Sequence, residues 1–244
     1  MLPVMVSTWV QPVNLLISTR FATHVLAGTG ASAMDYANTL YTMLAGILVL
    51  SLTNVIFPEM SRLSTGGRRE ELGELLRSSL RGMLFLLLPM TAGLMLLSEQ
   101  LVRLLYQWNA WGPESTAITA RALRFMTAGM VGYGVQNVLS RLFYAEQDGK
   151  TPLISGAVSV AVNLLLCLLL MDEGDVAPLC LATAVSVTAA AAVLLVPTLR
   201  RYPGALDRAF WLGLGKMCLC TLVMALAVWG AARMLPAAWE NGLV

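Results

Sequence analysis

Residues 152–197 read PLISGAVSVAVNLLLCLLLMDEGDVAPLCLATAVSVTAAAAVLLVP. The stretch carries three charges, Asp172, Glu173 and Asp175, and all three sit in one short turn. Each flank is long enough to cross a bilayer, which takes roughly 20 mostly apolar residues. The pattern is two spanning helices joined by an acidic hairpin. Working outward, similar apolar segments lie at about 3–27, 35–60, 82–98 and 118–144 before it and at about 210–234 after it. The expected fold is all-α, a polytopic membrane helix bundle of about seven transmembrane helices.

Composition agrees. The 244 residues are 57% hydrophobic and 12% charged, with a mean hydropathy of +0.72. Soluble domains are about a quarter charged. These values exclude a disordered chain, a disulfide scaffold and an ordinary soluble enzyme. The four cysteines (Cys167, Cys180, Cys218 and Cys220) fall inside apolar runs, where a thiol packs as a small hydrophobe. No segment has the short apolar core and small-residue cleavage site of a secretory signal.

The formal net charge is only +2, but its placement carries information. Arg62, Arg68, Arg69, Arg77 and Arg81 lie between spans two and three. Arg141 and Lys150 lie between four and five, and Arg200, Arg201, Arg208 and Lys216 between six and seven. The intervening loops hold only Arg103. Short cytoplasmic loops carry the basic excess, so residue 1 is expected on the cytoplasmic side and residue 244 outside. Residues 68–81, RREELGELLRSSLR, place Leu72, Leu75, Leu76 and Leu80 at helical spacing and read as an interfacial helix leading into span three. Trp108, Trp111 and Trp211 suit the interfacial aromatic belt.

Polar side chains inside spans are costly in hydrocarbon, so their spacing points to a bundle interior or a wet cavity. Ser7, Gln11, Asn14 and Ser18 share one face of span one. Asp35, Asn38, Thr42, Gly46 and Thr53 form a face of span two, and for these two stripes a hydrated cavity is expected. Gln136, Asn137, Ser140, Arg141 and Tyr144 cluster near one end of span four. Ser155, Ser159 and Asn163 line span five, where their small size favours hydrogen bonding between packed helices. Arg20 and His24 stand one turn apart near the end of span one; Arg20 either snorkels to headgroups or grips an anion in a cavity. The chain has no H-E-x-x-H, G-x-S-x-G or Walker A loop, so catalysis is not expected.

Several stretches are similar to one known family. Met1-Leu2-Pro3-Val4 through Gln11-Pro12-Val13-Asn14-Leu15-Leu16 resembles the opening of the second half of the MurJ (MviN) lipid II flippases, members of the MOP exporter superfamily. Asp35-Tyr36-Ala37-Asn38 with Leu40, the run Val55 to Leu63, and Ala120-Arg121-Ala122-Leu123-Arg124 extend the likeness. Ser140-Arg141-Leu142-Phe143-Tyr144-Ala145 with Asp148, Lys150, Thr151 and Pro152 carries it furthest. The resemblance implies that 1–200 form the second six-helix lobe of such a transporter, and that 201–244 form a cytoplasmic linker and one added transmembrane helix. Both ends then read as cut, with a first six-helix lobe missing from this chain or carried on a separate one.

By the same resemblance, the substrate is the undecaprenyl-pyrophosphate-linked muropeptide lipid II. It is moved from the inner to the outer leaflet of a bacterial inner membrane by alternating access. Membrane lipids and the other lobe are the implied partners; no cofactor, metal or nucleic acid is expected. The cavity candidates are Gln11, Asn14, Ser18, Arg20, Asp35, Asn38, Thr39, Thr42 and Arg141. Two departures stand out. Ser18 and Thr19 occupy positions where family members often have Asp-Arg, and Thr39 stands where a cavity arginine is common. The alternatives are a related exporter of another undecaprenyl-linked glycan or amphiphile, and a non-transporting membrane partner lobe.

Overall fold

The computed structural model describes residues 10–23, 25, 29–106, 112–170 and 175–234, and no strand occurs among them. Helix α1 is Val10–Ala22. Helix α2, Thr29–Tyr41, runs through a π-helical turn at Thr42–Gly46 into α3, Ile47–Thr65. Helix α4 is Arg69–Tyr106, α5 Pro113–Thr127 and α6 Met130–Ala145. Lys150–Leu170, Ala177–Arg201 and Arg208–Met234 form α7, α8 and α9. Five stretches among the described residues are long and apolar enough to cross a bilayer: Thr29–Thr65, Arg69–Tyr106, Lys150–Leu170, Ala177–Arg201 and Arg208–Ala231.

The amphipathic segment at 68–81 is no separate helix. It is the first third of α4, whose 38 residues extend about 57 Å at the α-helical rise. Leu72, Leu76, Leu80, Met83 and Leu87 keep one buried face across the junction, so nothing in the packing favours a break there. Glu70 and Glu71 sit at the N-terminal end, where the helix dipole favours acidic groups.

The apolar segment at 118–144 behaves in the opposite way. The chain is interrupted at Ala128–Gly129, between α5 and α6. A Cβ on Gly129 would lie 2.7 Å from the Ala184 Cα, and one on Gly132 would lie 2.7 Å from the Thr188 hydroxyl oxygen. Close passage of α8 across this point requires glycine, and the interruption lets both halves keep that contact. Apolar periodicity alone has no means of marking such a break.

Two hydrophobic clusters fill the bundle. One joins α3, the first half of α4, α6 and the end of α8, around Met60, Leu76, Leu87 and Phe143. The other joins α1, α2, α5 and the start of α8, around Met34, Leu123, Met126 and Cys180. Tyr41 packs against both. Helix α9 stands apart, packing chiefly on α4. The rest of it presents Leu212, Leu219, Leu222, Val223 and Leu226 outward, as expected of a lipid-facing helix.

Candidate transport surface

The helix interruptions lie at one level of the bundle. The π turn of α2–α3 and the Ala128–Gly129 break both border a cleft of about 300 Å³, between the two apolar clusters. Asn14, Asn38, Tyr41, Thr42, Tyr133 and Thr183 supply its polar lining. The Tyr41 and Tyr133 rings meet at 6.0 Å. π turns inside α-helices often accompany functional sites, because the extra residue redirects side chains.

That extra residue also corrects the expected stripe along span two. Asp35, Thr39 and Thr42 are exposed and Asn38 half-buried; Gly46, the last residue of the π turn, is buried at the border of the cleft, and beyond the turn Thr53 points into the core. The Thr53 hydroxyl donates to the Val49 carbonyl at 2.7 Å, so it is satisfied by its own helix and faces no cavity. Of the expected stripe, Asp35 and Thr42 are therefore the exposed members, with Thr39 beside them. Thr39 donates to the Asp35 carbonyl at 2.9 Å. A carboxylate such as Asp35 costs about 2.5–3.5 kcal/mol at a bilayer centre by insertion scales. A face bearing Asp35, Thr39 and Thr42 is thus better suited to water or another protein body than to lipid.

The stripe along span one takes a different course. Asn14 and Ser18 are buried, because α7 carries a complementary set. Asn14 Nδ2 donates to the Ser159 hydroxyl at 2.9 Å. Asn163 Nδ2 donates to the Ser18 hydroxyl and to the Asn14 carbonyl, both at 3.1 Å. Ser18 also meets the Thr183 hydroxyl of α8 at 3.1 Å. Ser155 donates to the Ala190 carbonyl of α8 at 2.8 Å, as the small residues of span five implied. The result is a neutral polar seam across α1, α7 and α8. Asn14 borders the cleft, but its amide is committed to the seam. Thr183 was not anticipated: it is one of three threonines in an alanine-rich helix, and nothing in their spacing marks which of them meets α1.

The remaining candidates separate. Arg20 is exposed in the last turn of α1, and the Gln11 side chain and His24 lie outside the described residues, as do Trp108 and Trp111. Arg141, expected in the cavity, lies 5.6 Å over the Phe57 ring and so joins α6 to α3. No group of His, Cys, Asp and Glu suited to a metal occurs among the described residues.

At the end of the bundle near the α6–α7 turn, Arg201 bridges Glu146 and Asp148, each at 2.7 Å. Tyr202 donates to Glu146 at 2.5 Å. Asp148 also caps α7, accepting from the Thr151 hydroxyl at 2.8 Å and from the Lys150 and Thr151 amides. Burial alone raises the Asp148 pKa, but the Thr151 and Arg201 hydrogen bonds outweigh it and leave the carboxyl below its ordinary value. For Tyr202, burial and then the Glu146 contact push the phenol well above its usual range.

A family model described as Lipid II flippase MurJ matches residues 1–244. The chain belongs to the MurJ lipid II flippase family. It is accordingly a multi-pass membrane protein of a transporter family. Among its relatives is the probable lipid II flippase MurJ of Rhizobium meliloti (strain 1021), 34% identical over 173 residues, which cover 70% of this chain and 32% of that protein. In fold, the chain is similar to a lipid II flippase MurJ in an inward closed conformation. That match has a TM-score of 0.72 at 22% identity over 94% of this chain and 52% of the other. It is also similar to an outward-facing MATE family multidrug resistance transporter of the MOP superfamily, with a TM-score of 0.70 at 16% identity over 93% of this chain and 52% of that one. The chain thus spans about half of these solved structures and less than half of the curated relative.

Proposed function

We propose that this chain supplies one lobe, residues 1–200 with an added helix, of a lipid II flippase. In this reading α2 lines the path of the pyrophosphate and sugars. The family assignment carries the reading, and the exposed polar face of α2 supports it. A pyrophosphate-linked muropeptide cannot cross hydrocarbon unaided, so a hydrated surface must accompany its headgroup while the polyprenyl tail stays in lipid. Asp35, Asn38, Thr39 and Thr42 offer hydrogen bonds on that surface, and Arg20 offers a guanidinium suited to phosphate oxygens. Alternating access is rocking of two lobes about the midplane, so a second six-helix lobe is the necessary partner. Residue 1 lies on the cytoplasmic side and residue 244 outside.

Thr39 favours one second reading. Where the family commonly has a cavity arginine, this lobe has a neutral hydroxyl, and its fold is nearly as close to the MATE transporter as to MurJ. A related exporter of another amphiphile, with a less anionic headgroup, fits those two observations. Replacing the sole lipid II flippase of a bacterial host with the full-length gene decides between the readings. Growth is expected; lysis despite confirmed membrane expression overturns the lipid II assignment in favour of the second reading.

A further inference from the structure

The groove between α4 and α9 is unrelated to the α2 surface. It measures about 450 Å³ and is lined by Glu74, Arg77, Ser78, Arg81, Phe85 and Met217. Its ends differ in chemistry. Two guanidiniums and a hydroxyl stand at one end, while Phe85 and Met217 form the other. Arg81 is the last charged residue before the uncharged run 82–98, and Lys216 is the last before the uncharged run 217–232. Both helices therefore pass from polar to apolar at the same groove, as they would at the headgroup plane of a bilayer.

The guanidinium of Arg81 is held in place but not neutralised. It lies flat against α9 at Gly213, where a Cβ would approach Nη2 to 3.3 Å, and Nη2 donates to the Ala209 carbonyl at 3.1 Å. Its Nε is buried and has no partner among the described residues, and no carboxylate there pairs with it. Arg77 beside it is partly neutralised by Asp207 at 2.7 Å, and Glu74 is the acidic group in the groove. With Nε sealed against α9, the terminal nitrogens are the donors left to the groove, and a guanidinium so placed beside an apolar wall matches a phosphate diester with an attached acyl chain.

We propose that the α4–α9 groove binds an anionic phospholipid, its phosphate on Arg81 and Arg77 and an acyl chain along Phe85 and Met217. The site is independent of the transport reading and joins α9 to the lobe through lipid as well as through direct packing. Free phosphate lacks the apolar portion that the Phe85 wall would hold.

Native mass spectrometry of the purified full-length protein tests this with phosphatidylglycerol, phosphatidylcholine and inorganic phosphate as probes. The wild type should retain phosphatidylglycerol about tenfold over phosphatidylcholine, whose choline cation offsets the pull of its phosphate on the arginines; that is the scale of one or two basic side chains facing an anionic lipid. Arg81→Gln should abolish that preference. Ser78→Glu, at an exposed position where folding is not at stake, should do the same by placing a second carboxylate in the groove. Arg62→Gln, on an exposed arginine of α3, should leave it unchanged. Equal retention of the two lipids by the wild type overturns the proposal, as does a preference that survives both groove variants. So does an equal loss in Arg62→Gln, which would mark a general charge effect. Displacement of the lipid by millimolar inorganic phosphate would show an anion site with no lipid specificity and overturn it too.

Discussion

Helices α1 and α2 carry polar residues at the same helical spacing, yet they use them in opposite ways. Asn14 and Ser18 of α1 are buried and hydrogen-bonded to Ser159, Asn163 and Thr183. Asp35 and Thr39 of α2 and Thr42 of the π turn stay exposed, with no complementary stripe opposite them among the described residues. A polar stripe in a membrane helix is thus only half a message. The other half is whether a second helix carries its complement, as α7 does for α1. Where one does, the stripe is a seam; where none does, it remains available to substrate, water or another lobe.

The seam should be the more costly region to damage. Asn163 serves both Ser18 and Asn14, so Asn163→Leu removes the centre of the network and leaves its partners unpaired. A loss of about 1–2 kcal/mol is expected, read as a lowered thermal midpoint in detergent. An unchanged midpoint would mean that α1 and α7 are held by apolar packing alone.

Asp148 comes next. Asp148→Ala removes the α7 cap and one arm of the Arg201 bridge, for about 1 kcal/mol. Its pH dependence follows from the depressed carboxyl. The stabilisation is complete above the unfolded-state value near 3.8 and is lost as pH falls through the lower folded value. The gap in stability between wild type and Asp148→Ala should therefore close below about pH 4. A gap that instead widens on acidification would contradict the assignment.

Within the seam, the Asn14–Ser159 pair should show a coupling of about 0.6 kcal/mol in a double-mutant cycle, typical of hydrogen bonds inside membranes. The smallest stability effect is expected on the open face. Thr39→Ala should shift stability by less than about 0.5 kcal/mol, while lowering transport in the complementation assay. A large loss of stability there would make α2 a packing helix and erase the contrast with α1.

Much of this arrangement was legible in the residues. The apolar runs and the charge-free flanks of the Asp172–Asp175 turn imply a helical membrane bundle, because hydrocarbon requires long apolar helices. Ser155, Ser159 and Asn163 were readable as packing residues by their size. The seam partners of span one were not, since a stripe on one helix does not say which neighbour it meets. Thr53 was misplaced because the π turn at Thr42–Gly46 adds a residue that periodicity cannot register. The place of Arg141 over Phe57 was not legible, because a cation over a ring looks, in sequence, the same as a cation in a cavity.

The contrast between the two stripes is tested most directly by cysteine accessibility in the full-length protein, on a background lacking the native cysteines. Thr39→Cys and Ser159→Cys would each be exposed to a membrane-impermeant maleimide. The account predicts rapid labelling at position 39 and none at 159 until the protein is denatured. Labelling at 159 but not at 39, or equal labelling at both, would contradict it.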